Sequence, residues 1–88
     1  IKQKGNMKVM GVLGGKESRA YEEISKKVFS KFWSEFKRTF SIPRYGELPR
    51  KRFDDAVSFI EMWLPETAIR MEIDQLNRQQ RLFGDDNE

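Results

Sequence analysis

The longest uninterrupted segment of this chain runs from residue 18 to residue 40 and contains neither glycine nor proline. Its apolar and basic side chains recur at the spacing of an α-helix, in which successive residues turn by about 100°. One half of the helical wheel is apolar and contains Tyr21, Ile24, Val28, Phe29, Phe32, Trp33, Phe36 and Phe40. Lysines and arginines gather on the other half. Because Ser18 can cap the first turn with its hydroxyl, the segment predicts one long amphipathic helix.

A connector and a second clear helix follow. Residues 41–49 contain two prolines and a glycine, which are typical of an ordered connector. A helix is predicted over residues 50–64, because Pro49 suits its first turn and Pro65 ends it. Its predicted core face consists of Phe53, Ala56, Val57, Ile60, Trp63 and Leu64.

The last helix is predicted over residues 66–82, with Gly84 as its expected end. Its apolar positions recur at helical spacing and are Ile69, Ile73 and Leu76. Residues 84–88 are mostly acidic, and we expect them to be flexible.

The first 13 residues are ambiguous. Val9, Met10 and Leu13 fit one helical turn, although the valines of this segment would also suit a strand. The Gly14-Gly15 pair that follows is typical of a helix cap and a turn. A helix is therefore favoured, and we expect residues 1–8 to be flexible.

Together these segments predict an all-α fold, a small bundle of three or four helices with one long amphipathic helix. The 88 residues suit a single domain with one small core. A hydrophobic content of 38% is low for a globular chain. Because the chain starts as the interior of a longer protein would, we expect residues 1–88 to be a C-terminal module of such a protein.

Charge is distributed unevenly along the chain. Residues 1–52 carry 14 of the 17 basic and 5 of the 14 acidic side chains, and residues 53–88 carry the others. A field polarised in this way favours a polyanion or an acidic protein at the basic side. The basic residues we expect to form such a surface are Lys16, Arg19, Lys26, Lys27, Lys31, Lys37, Arg38, Arg44, Arg50, Lys51 and Arg52. The alternative is that these residues only provide the polar face that any surface helix needs.

Residue content excludes several kinds of chemistry. The chain has no cysteine and no histidine, so nucleophilic catalysis by Ser/His/Asp or Cys/His groups is impossible within it. Residues 11–18 resemble a phosphate-binding loop, but Met10 stands where that loop needs glycine and Glu17 where it needs serine or threonine. We therefore expect no enzyme activity, no cofactor and no metal. No segment is long and apolar enough to span a membrane, and we expect a cytoplasmic location.

The aromatic side chains fit a core better than a base-stacking platform, because they recur at helical spacing. Phe29, Trp33 and Phe59 lie at the margins of their apolar stripes. We expect these three to contact a partner protein or a second copy of the chain.

Two stretches of the sequence resemble one known family. The first comprises Leu13-Gly14-Gly15-Lys16-Glu17-Ser18, Ala20-Tyr21, Val28-Phe29, Trp33 and Phe36-Lys37-Arg38. The second comprises Ile42-Pro43, Tyr45, Pro49-Arg50, Phe53-Asp54, Ala56, Phe59-Ile60 and Trp63. Over roughly residues 9–65 the chain resembles the C-terminal domain of phage antirepressor proteins.

The resemblance implies a mostly helical module attached to an N-terminal domain that is credited with DNA binding. It also implies a regulatory role in the bacterial host of a temperate phage, through binding a repressor or operator DNA. It supplies no catalytic residues. Our first hypothesis is a non-enzymatic regulatory module that binds the phage repressor, another regulatory protein or itself. Direct DNA binding through the basic helix face is the alternative, and a spacer between domains is a third possibility.

Overall fold

The computed structural model describes the backbone of residues 1–86 and the side chains of residues 1–44 and 46–79. Four α-helices and two short 3₁₀ turns make up this part of the chain, and it contains no strand. The helices are α1 (Lys2–Leu13), α2 (Arg19–Phe40), α3 (Phe53–Met62) and α4 (Thr67–Asp86). The 3₁₀ turns are Tyr45–Glu47 and Arg50–Arg52. The predicted all-α fold with one long amphipathic helix is confirmed.

Helix α2 begins and ends where its sequence predicts. The Ser18 hydroxyl accepts a hydrogen bond from the Tyr21 backbone N–H at 3.1 Å, as an N-cap does. Lys37 and Arg38 lie in the last turn, where positive charge favours the helix dipole. Ser41 closes the helix in the left-handed conformation, with φ of 54°.

The core is built on the buried face of α2, with Phe32 at its centre. The Phe32 ring has its centroid 4.8 Å from that of Trp33 and 5.0 Å from that of Trp63. Its distance to the Phe59 ring is 5.8 Å. Apolar residues of α1 and α4 complete this cluster, namely Val9, Leu13, Ile69 and Ile73. A second, smaller cluster of Phe36, Phe40 and Ala56 lies towards the end of α2.

Helix α1 is an integral part of the bundle. The expectation of a helix rather than a strand is confirmed, and residues 2–8 form its first two turns. The flexibility expected for residues 1–8 stays a prediction. Val9 and Leu13 are fully buried against α2. Gly5 is also buried, and a Cβ atom there would lie 2.7 Å from the Trp33 ring and 2.8 Å from the Phe32 ring. Glycine therefore allows the two helices to approach closely.

Helix α3 is shorter than predicted. Residues 50–52 form a 3₁₀ turn, and the helix ends at Met62 instead of Leu64. Leu64 precedes Pro65, which disfavours the helical conformation at that position. Leu64 is 57% exposed and Phe53 is 46% exposed, so their assignment to the core was wrong.

Helix α4 is longer than predicted. It continues through Gly84, its expected end, to Asp86. The backbone of residues 84–86 is helical, and the flexibility expected for residues 84–88 stays a prediction. Residues 87 and 88 lie outside the described residues.

Asn77 of α4 fastens the turn between α1 and α2. Its Nδ2 donates to the Leu13 carbonyl at 2.9 Å, and its Oδ1 accepts from the Ala20 N–H at 3.0 Å. Gly14 has φ of 100°, and a Cβ atom there would lie 2.8 Å from Asn77 Nδ2. One amide thus satisfies the end of one helix and the start of the next.

We predict that Gly5→Ala destabilises the domain, because the added methyl group overpacks the contact with Trp33 and Phe32. The expected loss in the free energy of unfolding is about 1–3 kcal/mol, measured by urea denaturation. Gly11→Ala is the matched control on the same helix, since a Cβ atom there meets nothing within 4 Å. That change should be neutral or stabilise by up to about 1 kcal/mol. Equal effects of the two changes would contradict the close approach of α1 and α2.

We predict that Asn77→Ala lowers the free energy of unfolding by about 1–3 kcal/mol, because a helix-terminal carbonyl and N–H lose a partner. Thermal unfolding followed by circular dichroism would measure it. The control is Gln75→Ala, an exposed position of the same helix, with an expected effect within about 0.5 kcal/mol. If Asn77→Ala matched this control, the bridging role of Asn77 would be refuted.

Candidate interaction surfaces

Part of the basic face of α2 is paired with α4. Lys27 Nζ lies 2.8 Å from Glu72 Oε1, and Lys31 Nζ lies 3.4 Å from Glu66 Oε1. The side chains of these two pairs are 43–63% exposed, so each pair contributes only about 0.2–1 kcal/mol. The opposite charges of the two halves of the chain therefore meet inside one domain.

The basic residues of α2 do not form one face. Lys27, Lys31 and Arg38 share a line along the helix on the side of α4, because positions four and eleven residues apart nearly coincide around the axis. Lys26 and Lys37 lie on a second line, about 100° away. Lys16, Lys26 and Arg38 are exposed, whereas Arg19 and Lys37 are half-buried.

A denser group of cations lies where α2 ends. One groove, of about 440 Å³, is lined by Lys37, Pro43, Arg44, Gly46 and Glu47. A neighbouring groove, of about 340 Å³, is lined by Ile1, Lys2, Gly46, Leu48, Arg50 and Phe53. Gly46 belongs to both grooves, so they adjoin. We call the cations of this region the basic end, and they are Lys2, Lys37, Arg44, Arg50, Lys51 and Arg52.

Sequence reasoning did not select Lys2, because α1 is far from the other members in the chain. The sequence contained no signal for it, since only the packing of α1 beside the connector places Lys2 near Arg50. Arg52 is held in place by two contacts. Its guanidinium lies 4.7 Å from the centroid of the Phe40 ring and its Nε lies 3.8 Å from Asp55 Oδ2.

The three aromatic residues expected at an interface are half-buried. Phe29 contacts the Tyr21 ring edge-on at 6.3 Å. Trp33 Nε1 donates to Asn6 Oδ1 at 3.2 Å. Phe59 packs 5.5 Å from Phe36. All three therefore serve the core with part of their surface.

Two apolar side chains that are far more exposed lie at the end of α3. Met62 is 79% exposed and Leu64 is 57% exposed. Together with Phe59 and Trp63 they line a groove of about 390 Å³, which Glu35 borders. We call these four residues, Phe59, Met62, Trp63 and Leu64, the α3 apolar edge. Of these four residues, sequence reasoning selected only Phe59 for an interface. Met62 lies off the apolar stripe, and Leu64 was expected in the core of a helix that was predicted to extend to residue 64.

The stretch that resembles a phosphate-binding loop has a structural role. Gly14 and Gly15 both have positive φ and lead from α1 into α2. The Ser18 hydroxyl lies 2.8 Å from the Leu13 carbonyl and caps α2. Across the described residues, no three acidic side chains come together as a metal site would require. No helix in that part of the chain has the length and apolar character needed to cross a membrane.

The fold and surfaces thus define a small all-α domain with one cationic end and one exposed apolar edge. The family model of the ORF6C domain matches residues 1–73. The chain therefore belongs to the ORF6C domain family, the C-terminal domain found in phage antirepressor-type proteins, which confirms the resemblance. Comparisons with curated proteins and with solved structures give no significant match. The matched residues end before Asn77, the residue that joins α4 to the α1–α2 turn.

We predict measurable coupling between Lys27 and Glu72. A double-mutant cycle with Lys27→Ala and Glu72→Ala should give an interaction energy of about 0.2–1 kcal/mol at low salt, measured by urea denaturation. The coupling should shrink in 1 M salt, where the Debye length is about 3 Å. A cycle with Lys26→Ala and Glu72→Ala is the control and should give no coupling. Equal coupling in both cycles would contradict the pairing of α2 with α4.

Proposed function

We propose that this ORF6C domain is a non-enzymatic module of a phage or prophage regulatory protein of the antirepressor type. It acts in the bacterial cytoplasm by binding another regulatory protein, for which the phage repressor is our first choice. Membership of the ORF6C family supports the phage-associated regulatory role. The surface of the domain supports the mode of action.

The observation that carries this proposal is the α3 apolar edge. Met62, the last residue of α3, and Leu64, in the irregular segment that follows it, are each more than half exposed. Exposing large apolar side chains to water is unfavourable, and burying them against a partner lowers the free energy of the system. Beside them, Phe59 and Trp63 are rigid aromatic side chains held by the core, and such residues are typical anchors of protein interfaces.

The geometry of the edge also suits a protein partner. Trp63 Nε1 donates to Glu35 Oε1 at 3.3 Å, which fixes the indole ring at the floor of the groove. Methionine can adapt its unbranched side chain to an irregular partner surface. Glu35 and the nearby Lys31 and Arg38 provide a polar rim.

Direct DNA binding through the α2 basic face receives less support. Lys27 and Lys31 already pair with Glu72 and Glu66. A phosphate group at this place would have to compete with two carboxylates. The paired lysines therefore suit the contact between α2 and α4 better than a contact with DNA.

We predict that Met62→Gln combined with Leu64→Gln weakens binding to the cognate phage repressor at least tenfold, because most interface energy resides in a few apolar anchors. Isothermal titration calorimetry with the purified repressor would measure this loss. The matched control is Met7→Gln combined with Met71→Gln, which changes two other exposed methionines. Both double variants should unfold at the temperature of the unchanged protein.

The mass of the domain in solution provides the second readout. Sedimentation equilibrium would show whether the α3 apolar edge joins two copies of the chain. A dimer that Met62→Gln with Leu64→Gln dissociates would assign the edge to self-association. The proposal fails if the edge variant and the control variant bind the repressor equally well and share one mass.

A further inference from the structure

The cations of the basic end are in excess of what the fold uses. Within the described residues, five of the six cations of the basic end form no ion pair, namely Lys2, Lys37, Arg44, Arg50 and Lys51, and Arg52 pairs with Asp55. Charges that are not consumed by internal pairs repel one another and reduce stability. An external anion that bound among these cations would relieve this repulsion.

Helix formation does not account for these residues either. Arg50, Lys51 and Arg52 stand immediately before the first residue of α3. Positive charge at the start of a helix is unfavourable, because the helix dipole is positive there as well. Only Arg52 recovers this cost inside the molecule, through Asp55 and the ring of Phe40.

We infer that the basic end binds the phosphate backbone of duplex DNA. Lys2, Lys37, Arg44 and Arg50 line two adjoining grooves on either side of Gly46, where a Cβ atom would meet nothing within 4 Å. The backbone is thus open to close approach at the centre of the cluster. The guanidinium groups of Arg44 and Arg50 can each bind a phosphate through two N–H groups.

The cations outnumber the neighbouring acidic groups. Glu47 lines one of the grooves, and Asp54 and Asp55 begin α3 beside the other. Asp55 is already paired with Arg52. The local excess of positive charge is therefore retained, and it supplies affinity without reading the sequence of the DNA.

The described side chains of the site suit a duplex better than a single strand. Single-stranded nucleic acid is usually held by several aromatic rings on which successive bases stack. At the basic end Phe53 is the one large apolar side chain with substantial exposure among the described residues, at 46%. Phe40 lies beneath Arg52 and is 5% exposed. Cations around open, shallow grooves suit the regular phosphates of a duplex.

This site is separate from the α3 apolar edge and does not depend on the function proposed above. A regulatory protein could use both, one surface for DNA and one for protein. The DNA contact at the basic end also differs from one along α2, because it uses Arg44 and Arg50 in place of Lys27 and Lys31.

The test is the binding of the full chain to a short labelled DNA duplex, followed by fluorescence anisotropy over a range of salt concentrations. The probe variant is Arg44→Gln with Arg50→Gln, which removes two exposed cations of the basic end. The matched control is Lys16→Gln with Lys26→Gln, which removes two exposed cations elsewhere. A third variant, Lys27→Gln with Lys31→Gln, removes the paired lysines of α2. Circular dichroism would show that all variants are folded.

We expect the unchanged chain to lose affinity steeply as salt rises. The probe variant should bind at least about tenfold more weakly at low salt and lower the slope of log K against log salt by about 2, one unit for each phosphate that is no longer neutralised. The control variant should retain the slope of the unchanged chain. The inference is overturned if the duplex is not bound, if a single strand of the same length binds more tightly, or if either other variant weakens binding as much as the probe variant.

Discussion

The packing of Phe32 between the rings of Trp33, Phe59 and Trp63 is the contact on which the rest of the structure depends. It lies at the centre of the buried face of α2 and joins that helix to α3. The same cluster receives Val9 from α1 and Ile69 from α4. Since only 38% of the residues are hydrophobic, large rings matter to the core because each one buries a large apolar area.

Two sets of polar contacts hold α4 against the rest of the bundle, in addition to the aromatic packing. Asn77 attaches α4 to the ends of α1 and α2, and the Lys27–Glu72 and Lys31–Glu66 pairs align α4 along α2. In the two ion pairs, basic residues from the first half of the chain bind acidic residues from the second half within the domain itself. A group of further cations lies at the basic end, where α1, α2 and the connector meet. The basic first half of the chain therefore contributes to the packing of α2 on α4, and we propose that it also binds DNA at the basic end.

The differences between expectation and structure arise where a residue depends on distant neighbours. Phe53 was placed in the core by its spacing, but it begins α3 at the end of the bundle and remains 46% exposed. Leu64 has the spacing of the helical stripe, but α3 ends at Met62. The reason is that Pro65 disfavours the helical conformation of the residue before it. Residues 2–8 form the first two turns of α1, and Gly5 lets this helix approach α2 closely, because it has no side chain that would clash with Trp33. In each case the deciding neighbour is remote in the chain or acts through the backbone.

The positions of α2 and the main part of α3 and α4 could be predicted from spacing and from Gly and Pro, because helix formation depends on residues three or four positions apart and on their caps. The resemblance to the antirepressor C-terminal domain could likewise be predicted from two short motifs. Tertiary structure alone decided which lysines pair with acids, that Lys2 joins Arg44 and Arg50, and that Met62 and Leu64 form an exposed edge. The physical reason is that charge pairing and burial depend on which helices come together, and helical periodicity contains no information about the partner of a face.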